Sequence, residues 1–192
     1  MTADAAMADN QHLPLIVVMG VAGSGKSTIA GALAGRLEVA FVEGDALHPQ
    51  TNVEKMAGGT PLTDEDRWPW LAAIGLTMEA ERHAGRGVVV SCSALKRSYR
   101  DKIRSMVKGP VRFILLQGEK GLIARRMAGR KGHFMPPALL DSQLETLENP
   151  GAGEDGVILD INQPVDRLVD QAVAAAMAAD VGATRGTGGT KT

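Results

Sequence analysis

A single cysteine, Cys92, stands in the chain of 192 residues, which excludes an internal disulfide and suits a reducing compartment. Long apolar runs are missing too. No stretch approaches the roughly 20 residues that a membrane-spanning helix needs, so no membrane partner is expected. Neither sign of charge dominates: 21 Lys and Arg against 22 Asp and Glu leave a formal net charge of −1. Nucleic acid as the main partner would demand a basic surface, and none is expected here. The first dozen residues lack the basic start and apolar core of a secretory signal, so the expected location is cytoplasmic. Aromatic residues are scarce, with three Phe, two Trp and one Tyr. What remains is 44% apolar and 22% charged, the balance of an ordinary globular domain.

The most informative stretch runs from Leu15 to Thr28. Gly20, Val21, Ala22, Gly23, Ser24, Gly25, Lys26 and Ser27 fit G-x-x-x-x-G-K-[ST], the phosphate-binding loop of nucleoside triphosphate enzymes. Before it lies a short run rich in β-branched residues, Leu15 to Val18, which reads as a buried parallel strand. After it Ile29, Leu33 and Leu37 repeat every four positions, as on one helix face. Strand, glycine loop and helix thus stand in the order the chemistry needs. Glycines free the backbone to turn successive N–H groups on a phosphate, and the helix start adds its positive end. Lys26 is expected to reach the β- and γ-phosphates and the Ser27 hydroxyl to ligate Mg²⁺. Thr28 completes the nucleotide-binding segment, so ATP and Mg²⁺ are the expected cofactors.

Residues 1–13 and 182–192 read as flexible tails around one domain, 14–181. Between them strands are expected at Leu15–Met19, Val39–Glu43, Gly87–Cys92, Val111–Gln117 and Val157–Ile161. Helical patterns fill the gaps, at about Lys26–Leu37, Thr51–Met56, Asp64–Ala84, Arg97–Val107, Glu119–Arg130, Pro137–Glu148 and Val165–Ala179. Thr63-Asp64-Glu65-Asp66 resembles a capping box, and Pro69 is expected near the first turn of its helix. Alternation of this kind means right-handed βαβ units and a three-layer α/β/α fold with a parallel sheet. The order 2-3-1-4-5 is expected for the five strands, with ligands at their C-terminal ends.

The guanine-reading D-x-x-G and N-K-x-D pairs are absent, as is the L-S-G-G-Q of transporter ATPases, and the chain is small for an ATPase motor. That leaves the small kinases, with an acceptor over strands two and three and a mobile arginine-bearing lid, here about residues 130–136. Strand two ends Glu43-Gly44-Asp45, and period-two geometry places both acids on one side. Glu43 is expected to hold Mg²⁺ through water, and Asp45 to act as general base toward an acceptor hydroxyl. Cys92 reads as a small buried hydrophobe, and Asp160 as structural. No acid stands at the end of strand three, which carries Ser91-Cys92-Ser93.

Several blocks of the chain resemble the gluconokinases of the P-loop kinase group. They are Gly44-Asp45-x-Leu47-His48-Pro49, Asn52-x-x-Lys55-Met56 and Gly59-x-Pro61-Leu62-x-Asp64-x-Asp66-Arg67-x-Pro69-Trp70-Leu71. Ser91-Cys92-Ser93-Ala94-Leu95-Lys96-x-x-Tyr99-Arg100-Asp101, His133-Phe134-Met135-Pro136 and Ser142-Gln143 come after them in family order. The resemblance implies ATP-dependent phosphorylation of D-gluconate at its 6-hydroxyl, with Mg²⁺, and a homodimer. The bare chemistry agrees with an anionic polyol: Lys55, Arg67, Lys96 and Arg97 suit a carboxylate, Asp45, His48 and Ser93 suit hydroxyls, and His133 is counted with the substrate-binding residues. By the resemblance Arg130 serves the transferred phosphoryl group, Arg125 adenine or phosphate, and the loop at Pro164 packs on adenine. Two other readings stay open: a kinase for shikimate, a nucleoside monophosphate or another sugar acid, and a nucleotide-binding module without catalysis.

Overall fold

The computed structural model describes residues 13–128 and 137–178. Within them lie β1 (Leu15–Met19), α1 (Lys26–Leu37), β2 (Ala40–Glu43), a 3₁₀ turn (Gly44–Leu47), α2 (Gln50–Ala57) and α3 (Asp64–His83). Next in the chain are β3 (Val88–Ser91), α4 (Arg97–Ser105), β4 (Arg112–Gln117), α5 (Lys120–Ala128), α6 (Pro137–Thr146), β5 (Gly156–Asp160) and α7 (Val165–Met177). The expected lid, with Arg130 and His133, lies outside the described residues, as do nearly all of both tails.

Five parallel strands pair in the order β2-β3-β1-β4-β5, as expected from the alternation of elements. Successive residues of the strands point to opposite faces, so the inner strands β1, β3 and β4 each feed two cores. Ile16, Val18, Val89, Ile114 and Leu116 pack with Ile29 and Leu33 of α1 and Leu168 and Ala172 of α7. Leu15, Val17, Val88, Val90, Phe113 and Leu115 pack with Leu71, Ile74 and Met78 of α3 and Tyr99 and Ile103 of α4. This is the three-layer arrangement of a strand set buried on both faces. β1 is buried along its whole length, so the glycine loop at its C-terminal end springs from a rigid base.

Most element ends shift by one or two residues from the sequence expectation, and hydrogen bonds at β2 and β5 show why. Glu38 takes a left-handed conformation, φ 55°, and Val39 donates its amide to Ala34 O, so β2 starts at Ala40. Phe113 N donates to Asp155 O, which brings β5 forward to Gly156. α3 opens on a full capping box, Asp66 N to Thr63 Oγ1 at 3.3 Å and Thr63 N to Asp66 Oδ2 at 2.9 Å. Pro69 is the sixth residue of α3, deeper than its expected place near the first turn. One turn before it, Asp66 O accepts Asn52 Nδ2 at 2.8 Å, which ties α3 to α2.

One buried ion pair ties the turn after β3 to the segment before β5. Arg100 of α4 has no exposed side-chain area, and its Nε and Nη2 bind the Glu154 carboxylate at 2.7 and 2.9 Å. Its Nη1 donates to Glu148 O at 2.9 Å and to Ala94 O and Leu95 O at 3.3 and 3.4 Å. Hydrogen bonding to that guanidinium holds the Glu154 carboxyl down at about 2. Truncation of one partner strands the other charge in the interior. Arg100→Met is therefore expected to lower the unfolding free energy by about 3 kcal/mol. A urea titration showing less than about 1 kcal/mol of loss would mean that the pair is idle.

Candidate active site

The glycine loop joins β1 to α1, and its backbone adopts what only glycine takes readily. Gly20, Gly23 and Gly25 have φ of 141°, 80° and 97°. A Cβ on Gly20 would lie 2.7 Å from Leu116 O, whereas one on Gly25 would meet nothing within 4 Å, so the loop opens outward there. Gly20 N donates to Ser93 O at 3.3 Å and ties the loop to the turn after β3. Lys26 Nζ donates to Val21 O at 3.1 Å, and Ala22 N donates to Gln143 Oε1 at 2.7 Å. Gly25 precedes α1 without a side-chain cap, and Ser27 and Thr28 are exposed in the helix's first turn. Ser24 Oγ is buried with no hydrogen-bond partner. Outward-opening backbone, uncapped amides and an orphaned hydroxyl together form a cradle for an anion.

Beside this cradle end β2 and β3. Their register sets Glu43 opposite Ser91, whose Oγ donates to Glu43 Oε1. Where the sequence suggested that strand periodicity aims both acids, the chain instead enters the 3₁₀ turn at Gly44, so the turn, not the strand, places Asp45. The turn is tightly seated: a Cβ on Gly44 would lie 2.2 Å from Ser91 O, and Gly44 O accepts Trp70 Nε1 at 2.7 Å. Asp45 itself is exposed. Burial pushes the Cys92 thiol up to about 12; among smaller influences Asp45 and Glu43 raise it and Lys26 lowers it. The thiol stays protonated, which removes it as a nucleophile. Lys26 follows β1, and Glu43 and Asp45 end and follow β2, on the two sides of β3 at the C-terminal edge of the sheet. Ala94, with φ 42°, then reverses the chain and leaves Ser93 half-buried against the loop.

A group of cations has the opening residues of α3 as counter-ions. Asp64 accepts Lys96 Nζ at 2.7 and 2.9 Å and the Tyr99 hydroxyl, and lies 3.8 Å from Arg67 Nη1. Its carboxyl is held below the usual range first by the Lys96 hydrogen bond, and Lys96 is raised in return. Arg67 also donates to Leu62 O at 2.5 Å, and Tyr99 carries Arg67 and Lys96 over its ring at 5.8 and 5.3 Å. Lys55 binds Asp66 at 2.7 Å, which with the Thr63 amide brings that carboxyl to about 2. Arg97 stands apart, exposed and 3.9 Å from Asp101 of its own helix.

His48 closes the floor of this region. Its ring stacks on Trp70 at 4.1 Å and 15°. Asn52 Nδ2 lies 3.3 Å from His48 Nδ1, and since an amide nitrogen can only donate, the ring proton sits on Nε2. Burial lowers the pKa of His48, with Arg67 adding to this and Asp45 opposing it, so the ring is neutral at pH 7. The two tryptophans are structural: Trp70 is buried, and Trp68 sets its edge against Tyr99 at 5.6 Å.

On the far side of the glycine loop, Arg126 donates to Ile161 O at 3.0 Å, while Arg125 is exposed on α5. Pro164 caps the start of α7. Asp160 accepts Asn162 N at 2.9 Å and so shapes the loop after β5, as expected of a structural acid.

Ser91, Tyr99 and Gln143 escaped assignment from sequence, as did the counter-ion role of Asp64 and Asp66. Register alone could have signalled Ser91, since it is the β3 residue level with Glu43.

A family model described as an AAA domain matches residues 15–150. The chain is 53% identical over 139 residues to a gluconokinase of Gluconobacter oxydans (strain 621H), covering 72% of this chain and 78% of that one. It is 44% identical over 161 residues to the thermoresistant gluconokinase of Escherichia coli (strain K12), covering 83% and 91%. The crystal structure of a gluconokinase from Sinorhizobium meliloti 1021 superposes with a TM-score of 0.78 at 51% identity, over 86% of this chain and 93% of that one.

Proposed function

The chain belongs to the gluconokinase family, and from that premise we propose that it transfers the γ-phosphoryl group of ATP to the 6-hydroxyl of D-gluconate. What supports this reading is that the glycine loop, Glu43 with the turn of Asp45, and Lys96 with its partner Asp64 stand at the C-terminal ends of the neighbouring strands β1, β2 and β3. Three cations, Lys55, Arg67 and Lys96, face two acids, Asp64 and Asp66, and so leave one positive charge over. That excess suits an acceptor with a single carboxylate and many hydroxyls.

In the proposed mechanism the loop from Gly20 to Thr28 surrounds the triphosphate, the uncapped amides at the start of α1 hold it, and Lys26 turns to its β- and γ-phosphates. Gluconate lies across the cation group, its carboxylate toward Lys55, Arg67 and Lys96. Its hydroxyls meet His48 Nε2–H, Ser93 and Asp45. Asp45 takes the proton of the 6-hydroxyl as that oxygen bonds to phosphorus and the bond to ADP breaks. The donor set also fits Mg²⁺, which takes few protein ligands beside phosphates and water. Among the described residues no group of three or more His, Cys, Asp or Glu exists to make a fuller metal cage. Ser27 and, through water, Glu43 would hold the ion, which supplies neutralisation of phosphate charge when bound. Arg125, Arg130, His133 and Pro164 keep the roles expected from the sequence, toward phosphate, substrate and adenine, and a homodimer is proposed on the resemblance. Among the described residues no helix is long and apolar enough to cross a membrane, and we propose a cytoplasmic enzyme.

A coupled assay of ADP release over a panel of acceptors tests the reading. Gluconate is expected to exceed shikimate, nucleoside monophosphates and other sugar acids by at least about a hundredfold in kcat/KM. A faster acceptor in the panel would replace gluconate, and ADP release indifferent to every acceptor would remove the kinase assignment.

A further inference from the structure

Two side chains hold opposite sides of one peptide group in the glycine loop. The unit joining Val21 to Ala22 offers its carbonyl to Lys26 Nζ at 3.1 Å and to the Ser24 amide at 3.3 Å. Its N–H, directed the other way in a planar trans peptide, donates to Gln143 Oε1 at 2.7 Å. Gln143 stands on α6, 121 residues along the chain from Ala22. A peptide group presents either its oxygen or its hydrogen to a given point. An N–H turned toward the Lys26 ammonium would repel it, whereas a carbonyl attracts it. The acceptor on Gln143 selects the second arrangement.

α6 also packs on the core: Leu140 is buried in the cluster that holds Val21, with Leu144 and Leu147 against it. There Val21, Leu116 and Ile123 face Leu144 and Leu147 across a cavity of about 410 Å³. To this packing the Gln143 hydrogen bond adds a directional tie between α6 and the loop. α6 is the first described helix after residues 129–136, and α5, just before them, also touches the loop, since a Cβ on Gly23 would lie 2.4 Å from Met127 Cγ.

We propose that Gln143 is a positioning residue: through the Val21–Ala22 peptide it sets the direction in which Lys26 approaches the triphosphate. The inference rests on Lys26 serving the phosphates. Gln143→Met keeps the length and loses the acceptor. It is expected to lower kcat about fivefold, the worth of one ordinary hydrogen bond, with KM for gluconate and the melting temperature nearly unmoved. In a Lys26→Ala background the same substitution should change kcat by less than about twofold, because the group it acts through is gone. Gln143→Asn, one methylene shorter, should follow the same pattern, and it decides the matter if the Met variant does not fold. Equal losses in both backgrounds, or no loss where Lys26 is present, overturn the proposal. If Lys26→Ala alone leaves turnover intact, the assignment of Lys26 fails and this inference falls with it.

Discussion

Asp45→Asn is expected to cut turnover by about 10²- to 10⁴-fold, the range a positioned general base supplies, while ATP still binds nearly as before. The reasons are local. Asp45 is exposed on the 3₁₀ turn, and the turn's own supports, Trp70 Nε1 on Gly44 O and the seat of Gly44 against Ser91, do not involve its side chain. Asparagine has the same shape, so no cavity forms and the fold is untouched. What disappears is the capacity to accept a proton from the 6-hydroxyl. ADP release measures the loss, and calorimetric titration with ATP and magnesium measures the binding. The opposite outcome, with nucleotide binding lost along with turnover, would place Asp45 beside Glu43 in the shell of the metal.

Much of this architecture is readable from residues near one another. α1 runs from Lys26 to Leu37 as its apolar spacing suggested, because the glycines before it leave no other start for the helix. The capping box at Thr63 was legible for the same reason, since both partners lie within one turn. What escaped was set by contacts between distant parts of the chain. Glu43 and Ser91 are 48 residues apart, Arg100 and Glu154 are 54 apart, and Ala22 and Gln143 are 121 apart. No local pattern announces such pairs, because register and helix packing create them. The 3₁₀ turn was missed differently: it arises from the close approach of Gly44 to Ser91 O, which exists only once β2 lies on β3.

The acids at the start of α3 show how a local signal conceals a second role. Asp64 and Asp66 were legible as residues of a helix N-terminus, where negative charge opposes the helix dipole. They also pair with Lys96 after β3, Lys55 on α2 and Arg67 on their own helix. Paired cations are held in fixed directions, and a carboxylate entering there meets donors already oriented rather than loose side chains. Arg97, paired with Asp101 on its own helix, is not part of that ready-made group.

Lys26→Ala carries the other large expected effect, a fall in kcat of about 10²- to 10³-fold, as for loss of one preorganised donor to a developing charge. Among the described residues Arg125 is exposed on α5 and is proposed for adenine or phosphate, and the other nearby cations are committed elsewhere. Arg126 is committed to Ile161 O at 3.0 Å, and Lys55, Arg67 and Lys96 are each bound to an acid of α3. The loop would keep its shape, because Ser24 N still donates to Val21 O and Gln143 still holds Ala22 N. Nucleotide affinity should therefore fall less than turnover, with the amides still in place around the phosphates. Lys26→Arg sharpens the test. It restores the charge but replaces a compact ammonium with a planar fork that cannot enter the same point. Recovery with Arg should be partial at most, because position as well as charge is required. Near-wild-type single-turnover rates in the Ala variant would show that the backbone alone carries the phosphoryl charge, and the electrostatic account of this site would fail.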